Sequence, residues 1–164
     1  MAEELKILHV YDPGETTGFV EVLWNTRTTK MELTDVRHID FAAAAIEVHY
    51  LTMNRCPDII VYERFALYDH KKDSQVGSEF PSSQVIGMIK MAVALVSEGE
   101  TTWHIELVKQ PASVMSRCSV RDEHANQLVG RVHAISAYKH ALYYITAQYA
   151  LLAARGELGD GSKG

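Results

Sequence analysis

The sequence lacks the features of secreted, membrane-spanning and disordered proteins. It contains only 2 cysteines in 164 residues, and the spacing of Cys56 and Cys118 matches neither a metal site nor a disulfide framework. We therefore expect two free thiols in a reducing compartment. No uncharged apolar run reaches the roughly 18 residues that predict a membrane span. The opening residues Met1 to Glu4 are acidic where a signal peptide is basic, so we expect a cytoplasmic protein with no membrane partner.

The composition is that of an ordinary globular domain. Hydrophobic residues make up 47% of the chain and charged residues 23%, which argues against a disordered or fibrous protein. No internal repeat or low-complexity linker divides the chain. We expect a single domain over residues 3–156, followed by a flexible tail at residues 157–164.

The charge is unevenly distributed along the chain. The net charge is −5, but residues 1–100 hold 9 Lys and Arg against 16 Asp and Glu, whereas residues 101–164 hold 7 against 5. A local basic surface can hold a polyanion on an acidic protein. Carboxylates in the acidic half can serve as metal ligands, whose charge a bound cation cancels. The charge balance therefore leaves a nucleic-acid partner possible.

Apolar runs and turn residues predict an α/β fold with the element order β-β-β-α-β-α-β-α. The predicted strands are Leu5–Tyr11, Gly18–Trp24, Thr28–Val36, Ile59–Tyr62 and Trp103–Val108. The predicted helices are Phe41–Arg55 with Asp40 as a candidate N-cap, Gln84–Ser97 opened by Pro81, and Val132–Ala154. This order is typical of a five-stranded mixed sheet whose first three strands are antiparallel, with helices covering its faces.

Two acidic residues end predicted strands. Asp12 closes the first strand and Glu63 follows the fourth, so their side chains meet if these strands are neighbours. Adjacent carboxylates repel each other and favour a bound cation, and hard oxygen ligands suit Mg²⁺ or Mn²⁺. Alternatively, Asp12 caps the Pro-Gly turn and Glu63 pairs with Arg64 or a lysine. The spacing does not decide between a metal site and these structural roles.

Four segments follow one another in a fixed order: Asp-Pro-Gly-Glu-Thr-Thr-Gly at 12–18, Ile-Ile-Val-Tyr-Glu at 59–63, Gln-Pro-Ala at 110–112 and a helical stretch at 133–142. Together they resemble the motifs of the RuvC-like Holliday junction resolvases, particularly the phage-borne branch. An Asp-x-Gly turn alone is also found in actin-like folds, but those need a second lobe that this length does not supply. Four segments in order are more specific.

The resemblance implies an RNase H-like fold and a metal-dependent endonuclease that resolves four-way junctions or other branched DNA. It assigns catalysis and metal binding to Asp12, Glu63 and His133, with one or two Mg²⁺ or Mn²⁺ ions and no nucleotide cofactor. Because a four-way junction is nearly two-fold symmetric, a homodimer is expected, and the apolar helix Val85–Val96 is a candidate interface. If the protein is phage-encoded, it acts in the host cytoplasm.

The chain departs from the family pattern in its last helix. The family presents two ligands three residues apart, which here are His133 and Ser136, and a serine hydroxyl is a poor ligand for Mg²⁺. Three explanations remain open. The site works with three ligands, or another acid such as Asp122 or Glu123 replaces the missing one, or the protein binds junctions and cuts poorly. Simple solvation is the alternative for the Asp-Glu pair.

A second histidine lies in the same helix. His140 follows His133 by seven residues, about 10 Å along the axis, which is too far for both imidazoles to bind one ion. We favour His133 as the ligand. His140 either supports the site or faces a phosphate, or it is an ordinary packing residue of the helix.

Aromatic and basic residues are candidates for DNA contact. An aromatic side chain after the catalytic Glu can stack on bases, and lysines can neutralise phosphates. The candidates are Phe65, Tyr68, Lys71, Lys72, Lys109 and Lys139, with Arg117, Arg121 and Arg131 as further positive charges. Core packing for Phe65 and a solvated face for the lysines are the alternatives.

Two other functions remain alongside the resolvase. One is a different RNase H-like nuclease, acting on flaps, forks or RNA-containing hybrids. The other is a non-catalytic or weakly catalytic junction-binding protein, which the serine at position 136 motivates. When metal is supplied, the resolvase and the other RNase H-like nuclease would cut DNA, whereas a non-catalytic binding protein would only bind it.

Overall fold

A computed structural model describes residues 4–65, 80–98 and 104–158. Its strands form one five-stranded sheet in the order β3-β2-β1-β4-β5. The strands are β1 (Leu5–Asp12), β2 (Thr16–Asn25), β3 (Met31–Asp40), β4 (Ile59–Glu63) and β5 (Glu106–Gln110). The first three strands are antiparallel, while β1, β4 and β5 are parallel. The predicted mixed α/β sheet is therefore confirmed.

Four α-helices and a 3-10 helix complete the described part of the chain. The α-helices are α1 (Phe41–Arg55), α2 (Pro81–Ser97), α3 (Asp122–Leu128) and α4 (Val132–Ala154), and the 3-10 helix is Ala112–Ser116. Among the described helices, none is long and apolar enough to cross a membrane.

The sheet is apolar on both faces because alternate residues of its strands point to opposite sides. One face packs against α4 and is formed mainly by Leu8, Val10, Val20, Val22 and Val61. The other face packs with α1 and α2 and includes Tyr11, Phe19, Ile39, Ile60 and Tyr62. The three-layer arrangement buries the middle of β1 and most of β4, and it leaves the carboxyl ends of these two parallel strands at one edge of the sheet.

Several observed boundaries differ from the predicted ones by up to four residues, most of all in the third and fifth strands. β3 begins at Met31 rather than Thr28, because the Thr28 amide donates to the Asn25 carbonyl and closes a turn. β5 extends to Gln110, and residues 99–103 lie outside the described part. Asp40 does precede α1, but its side chain makes no capping hydrogen bond. The stretch around Asp122, which had no predicted element, forms the short helix α3.

Candidate active site

The two predicted carboxylates come together at the end of the sheet. β1 and β4 are parallel neighbours with Tyr11 opposite Tyr62, so Asp12 and Glu63 are the next residues on each strand. Both side chains are partly buried on the face that α4 covers. Burial raises the pKa of the Asp12 carboxyl, and the negative charge of Glu63 raises it further. The repulsion between the carboxylates makes this edge a favourable place for a cation.

The first turns of α4 bring two side chains to Asp12. Nδ1 of His133 lies 3.3 Å from Oδ2 of Asp12, and the imidazole is half exposed. The hydrogen bond with His133 lowers the pKa of the Asp12 carboxyl and opposes the effect of burial. His133 therefore lies at the mouth of the site, with Ser136 one turn deeper.

Gly18 is the reason that α4 can start so close to the sheet. It lies opposite Asp12 in the β1–β2 pairing. A Cβ atom at Gly18 would stand 2.0 Å from the carbonyl oxygen of His133 and 2.6 Å from the amide nitrogen of Ala134. Only a residue without a side chain fits under this backbone. The glycine that closes the first motif thus sets the distance between His133 and Asp12.

Ser136 is enclosed rather than open to the solvent. Its hydroxyl donates a hydrogen bond to Sδ of Met115 at 2.9 Å, and only 6% of the residue is exposed. The acids considered as substitutes lie elsewhere. Asp122 is exposed in the first turn of α3, and the Glu123 carboxylate lies 3.7 Å from Arg121. Neither acid takes the position that the missing carboxylate would occupy.

His140 holds the second carboxylate. Its ring is fully buried, with Nε2 3.0 Å from Oε2 of Glu63 and Nδ1 2.7 Å from Oε1 of Gln110. Because a carboxylate only accepts, Nε2–H donates to Glu63. Gln110 ends β5 beside Glu63 in the β4–β5 pairing. His140 is therefore enclosed within the fold, in contact with Glu63 and Gln110.

The carboxylates of Asp12 and Glu63 suit a hard divalent cation that takes few of its ligands from the protein. Among the described residues, no three His, Cys, Asp or Glu side chains stand close enough together to enclose a metal ion. Mg²⁺ is commonly held by one or two carboxylates, with water and substrate phosphates as the other ligands. Asp12 and Glu63 fit that pattern, and burial together with the charge of Glu63 raises the pKa of the Asp12 carboxyl. The residues present thus fit a Mg²⁺ or Mn²⁺ ion.

The residues predicted to contact DNA are spread over several elements. Lys109 is exposed on β5 next to Gln110, and Lys139 precedes His140 on α4. The ring of Phe65 packs on Phe80, with 5.1 Å between ring centroids. The remaining candidates, Tyr68, Lys71 and Lys72, lie outside the described residues.

Sequence reasoning missed two neighbours of the site. The ring of His38 lies 6.0 Å from the ring of His133, and Met115 contacts Ser136. His38 is placed by its pairing with Gly18, a register that no sequence motif reveals. Met115 belongs to the 3-10 helix that begins at the end of the Gln-Pro-Ala segment at 110–112. That segment was the only feature of the sequence that could have indicated a residue near the site here.

Comparison by sequence finds neither a matching family model nor a matching curated protein. Comparison by structure does find matches. Thermus thermophilus RuvC in complex with a Holliday junction matches with a TM-score of 0.61 and 14% identity, over 90% of this chain and 96% of that chain. The fowlpox virus resolvase bound to Holliday junction DNA matches with a TM-score of 0.56 and 12% identity, over 86% of this chain and 97% of that one.

The yeast mitochondrial Holliday junction resolvase also matches, with a TM-score of 0.58 and 12% identity, over 92% of this chain and 82% of that chain. These proteins come from a bacterium, a virus and a mitochondrion, and each shares the arrangement of the sheet and helices at low identity. Likeness at this level establishes architecture. The chain has the RNase H-like fold of RuvC, with its mixed sheet in the order β3-β2-β1-β4-β5.

Proposed function

We propose that this chain is a metal-dependent, structure-selective DNA endonuclease that resolves four-way junctions or other branched DNA by phosphodiester hydrolysis. The observation that carries the proposal is the meeting of Asp12 and Glu63 at the ends of β1 and β4, with His133 on Asp12. The fold supports it, since two of the matching structures were solved with Holliday junction DNA.

In the proposed mechanism, Asp12 and Glu63 would hold one or two Mg²⁺ or Mn²⁺ ions. A bound ion would lower the pKa of a water molecule and stabilise charge on the phosphate. His140 and Gln110 fix the orientation of Glu63 through their chain of hydrogen bonds. His133, half exposed beside Asp12, would complete the ligand shell as a third ligand or assist proton transfer at the substrate.

Removing the carboxylate charges tests the proposal directly. Asp12→Asn and Glu63→Gln should each abolish cleavage of a four-way junction and leave binding of the junction in EDTA nearly unchanged. Glu32→Gln is the matched control, because Glu32 is exposed on β3, and it should keep full activity. Full cleavage by either site variant would refute the assignment.

The last helix tests whether the site works without a final carboxylate. We propose that His133 is essential and that water fills the missing ligand position beside Ser136. His133→Ala should then nearly silence cleavage, while Ser136→Asp should keep or raise activity and lower the Mn²⁺ concentration needed. Robust cleavage by His133→Ala across a Mg²⁺ and Mn²⁺ titration would show that α4 does not supply the third ligand.

A junction-binding protein without strong cleavage is the second candidate function. Two observations favour it: Ser136 stands where the resembled family has an acid, and the described residues hold no cluster of three metal-ligating side chains. A pure binding protein would hold junctions equally well in EDTA and never cut them. A substrate panel of junctions, flaps, forks and hybrids, with and without Mn²⁺, distinguishes these functions.

We propose that the protein acts as a homodimer. In α2, the residues Val85, Ile89 and Val93 are buried inside the fold, so the interface must use other side chains of that helix than its core face. Exposed apolar side chains do lie on the outer surface of this layer: Ile46, Tyr50 and Met53 on α1, and Met91 and Leu95 on α2. A second copy covering them would present two sites to the two-fold symmetric junction.

The motif at residues 12–18 supports a place in the phage-borne branch, and we propose that the protein acts in the cytoplasm of the phage host as a single domain over residues 3–156. Residues 159–164 of the expected tail lie outside the described part.

The genes next to the coding sequence test the phage assignment, and a position among bacterial housekeeping genes would contradict it. Limited proteolysis tests the domain limits, which a stable cut inside residues 3–156 would overturn.

A further inference from the structure

A second concave surface lies on the outer side of α4. It is an open groove of about 540 Å³ between α4 and the segment before α3. The segment supplies Arg117, Cys118 and Arg121, and the helix supplies Tyr143, Ala147 and Ala150. The alanines leave room for a ligand to approach the helix backbone. None of the residues described as lining the groove is acidic.

The groove carries concentrated positive charge. The guanidinium of Arg117 lies 5.9 Å from the ring centroid of Tyr143 and donates to its hydroxyl at 3.4 Å. Arg121 is fixed by a 3.0 Å hydrogen bond to the Thr29 carbonyl, with Glu123 as a distant partner at 3.7 Å. Stacking and hydrogen bonding hold both guanidinium groups in place before any ligand arrives.

Lys139 is a positively charged residue on α4 between the candidate active site and the groove. Burial raises the pKa of the Cys118 thiol, and the positive charges of Lys139 and Arg121 oppose that rise, so both cations act on the groove. Lys139 and Tyr143 are one turn apart on α4 and continue the line that begins at Ser136. With a rise of 1.5 Å per residue, Tyr143 lies about 10 Å along the helix axis from Ser136.

We propose that this groove binds the sugar–phosphate backbone of a DNA strand that extends from the candidate active site. The inference rests on the proposed function, because it takes branched DNA as the ligand. Arg117, Arg121 and Lys139 neutralise successive phosphates, while the alanine floor lets the strand lie against α4. An elongated, cationic groove with no acidic lining residue suits a polyanion better than a single small anion.

Cysteine footprinting tests the proposal, because one of the two thiols lines the groove. Cys118 lies in it, and Cys56 ends α1 on the opposite face of the sheet; both are free and partly exposed. A saturating four-way junction in EDTA should slow alkylation of Cys118 several-fold and leave Cys56 unchanged. EDTA keeps the measurement independent of metal binding and of cleavage.

Charge variants give the second measurement. Arg117→Gln and Lys139→Gln should each weaken junction binding, reduce the slope of log affinity against log salt by about 1, and reduce the protection of Cys118. Lys90→Gln is the matched control, because Lys90 is exposed on α2. It should leave affinity, salt slope and protection as in the unmodified protein.

The outcomes separate this proposal from the nuclease. If the junction binds but both thiols react as in the free protein, the groove proposal is wrong while the nuclease stands. Protection of Cys118 without cleavage in Mn²⁺ supports the groove and contradicts the nuclease. Absence of any DNA binding overturns both. Protection by inorganic phosphate or pyrophosphate at concentrations where DNA gives none would show a small-anion site instead.

Discussion

The carbonyl oxygen of His133 lies directly over Gly18, 2.0 Å from the position that a Cβ atom would take there. Because Gly18 pairs with Asp12 across β1 and β2, the same contact decides how far His133 stands from the Asp12 carboxylate. A strand glycine, rather than a charged residue, therefore determines the geometry of one side of the site.

Gly18→Ala should push the start of α4 off the sheet. Overpacking of this kind costs about 1–3 kcal/mol or more of the free energy of unfolding, and the shift should also reduce junction cleavage. Gly87→Ala is the matched control, because a Cβ at Gly87 in α2 meets no atom within 4 Å. Replacing a glycine inside a helix by alanine should raise the free energy of unfolding by about 0.5–1 kcal/mol. In urea denaturation, Gly18→Ala should therefore lower the free energy of unfolding and Gly87→Ala should raise it. Equal changes in the two variants would contradict the close contact at Gly18.

His140→Leu should raise the Mn²⁺ concentration at half-maximal cleavage, because Glu63 loses the imidazole that orients it. Losing a residue that orients a metal ligand typically costs about 10–100-fold in metal affinity or activity. His140→Gln, which restores a donor, should recover part of the loss. The matched control is His124→Leu, another buried histidine, bonded to Tyr138. It should lower thermal stability without changing the Mn²⁺ dependence, and identical Mn²⁺ curves for both leucine variants would contradict the role of His140.

Acid should destabilise the fold in two steps, because of a buried pair on the opposite face of the sheet. His9 donates from Nε2 to Glu21 Oε2 at 3.0 Å, while its Nδ1 is buried without a partner. Burial lowers the pKa of His9 below 6.5. As the pH falls below about 6.5, the unfolded chain takes up a proton that the folded protein resists, so stability falls.

The second step belongs to Glu21. Hydrogen bonds with His9 and Thr34, together with the charge of Arg55, lower the pKa of the carboxyl from 4.5 to about 2. The stability that the ionised carboxylate contributes is therefore present above pH 4.5 and is lost between 4.5 and 2. Urea midpoints measured from pH 7.5 down to pH 3 should fall in both ranges. His9→Gln should remove the first decline and keep the second. A midpoint that stays constant between pH 7 and 5 in the unmodified protein would contradict the neutral, buried state of His9.

Leu95→Glu should convert the proposed dimer to a monomer, because it places a charge among the exposed apolar side chains of α1 and α2. Leu151→Glu is the matched control. Leu151 is also about half exposed, on α4 at the other face of the sheet, and its variant should keep the mass of the unmodified protein. Light scattering coupled to size exclusion measures both, and a monomeric unmodified protein would contradict the dimer.

The sequence indicated Asp12 and Glu63 because each follows a mostly apolar run that predicts a buried strand. It did not show that β1 and β4 are neighbours, since strand order depends on contacts across the chain. His140 illustrates the same limit. Its helical spacing from His133 was visible, but its contact with Glu63 also requires β5 to bring Gln110 to its other nitrogen.

Boundaries were less predictable than the presence of elements. The start of β3 depends on a turn closed by backbone hydrogen bonds at Thr28, which the run of threonines did not distinguish from a strand. The position of His38 beside His133 depends on the β2–β3 register, which shifts at Glu21 and Val22. Such a register shift comes from packing of the whole sheet and leaves no local signature.

The two histidines that hold the carboxylates are far from them along the chain. His133 is 121 positions from Asp12, and His140 is 77 positions from Glu63. During synthesis, the strands that carry both acids leave the ribosome long before α4 exists, and such long-range contacts form slowly. An incomplete chain therefore holds the acids without their histidine partners. Assembly of the candidate site is therefore tied to completion of the fold.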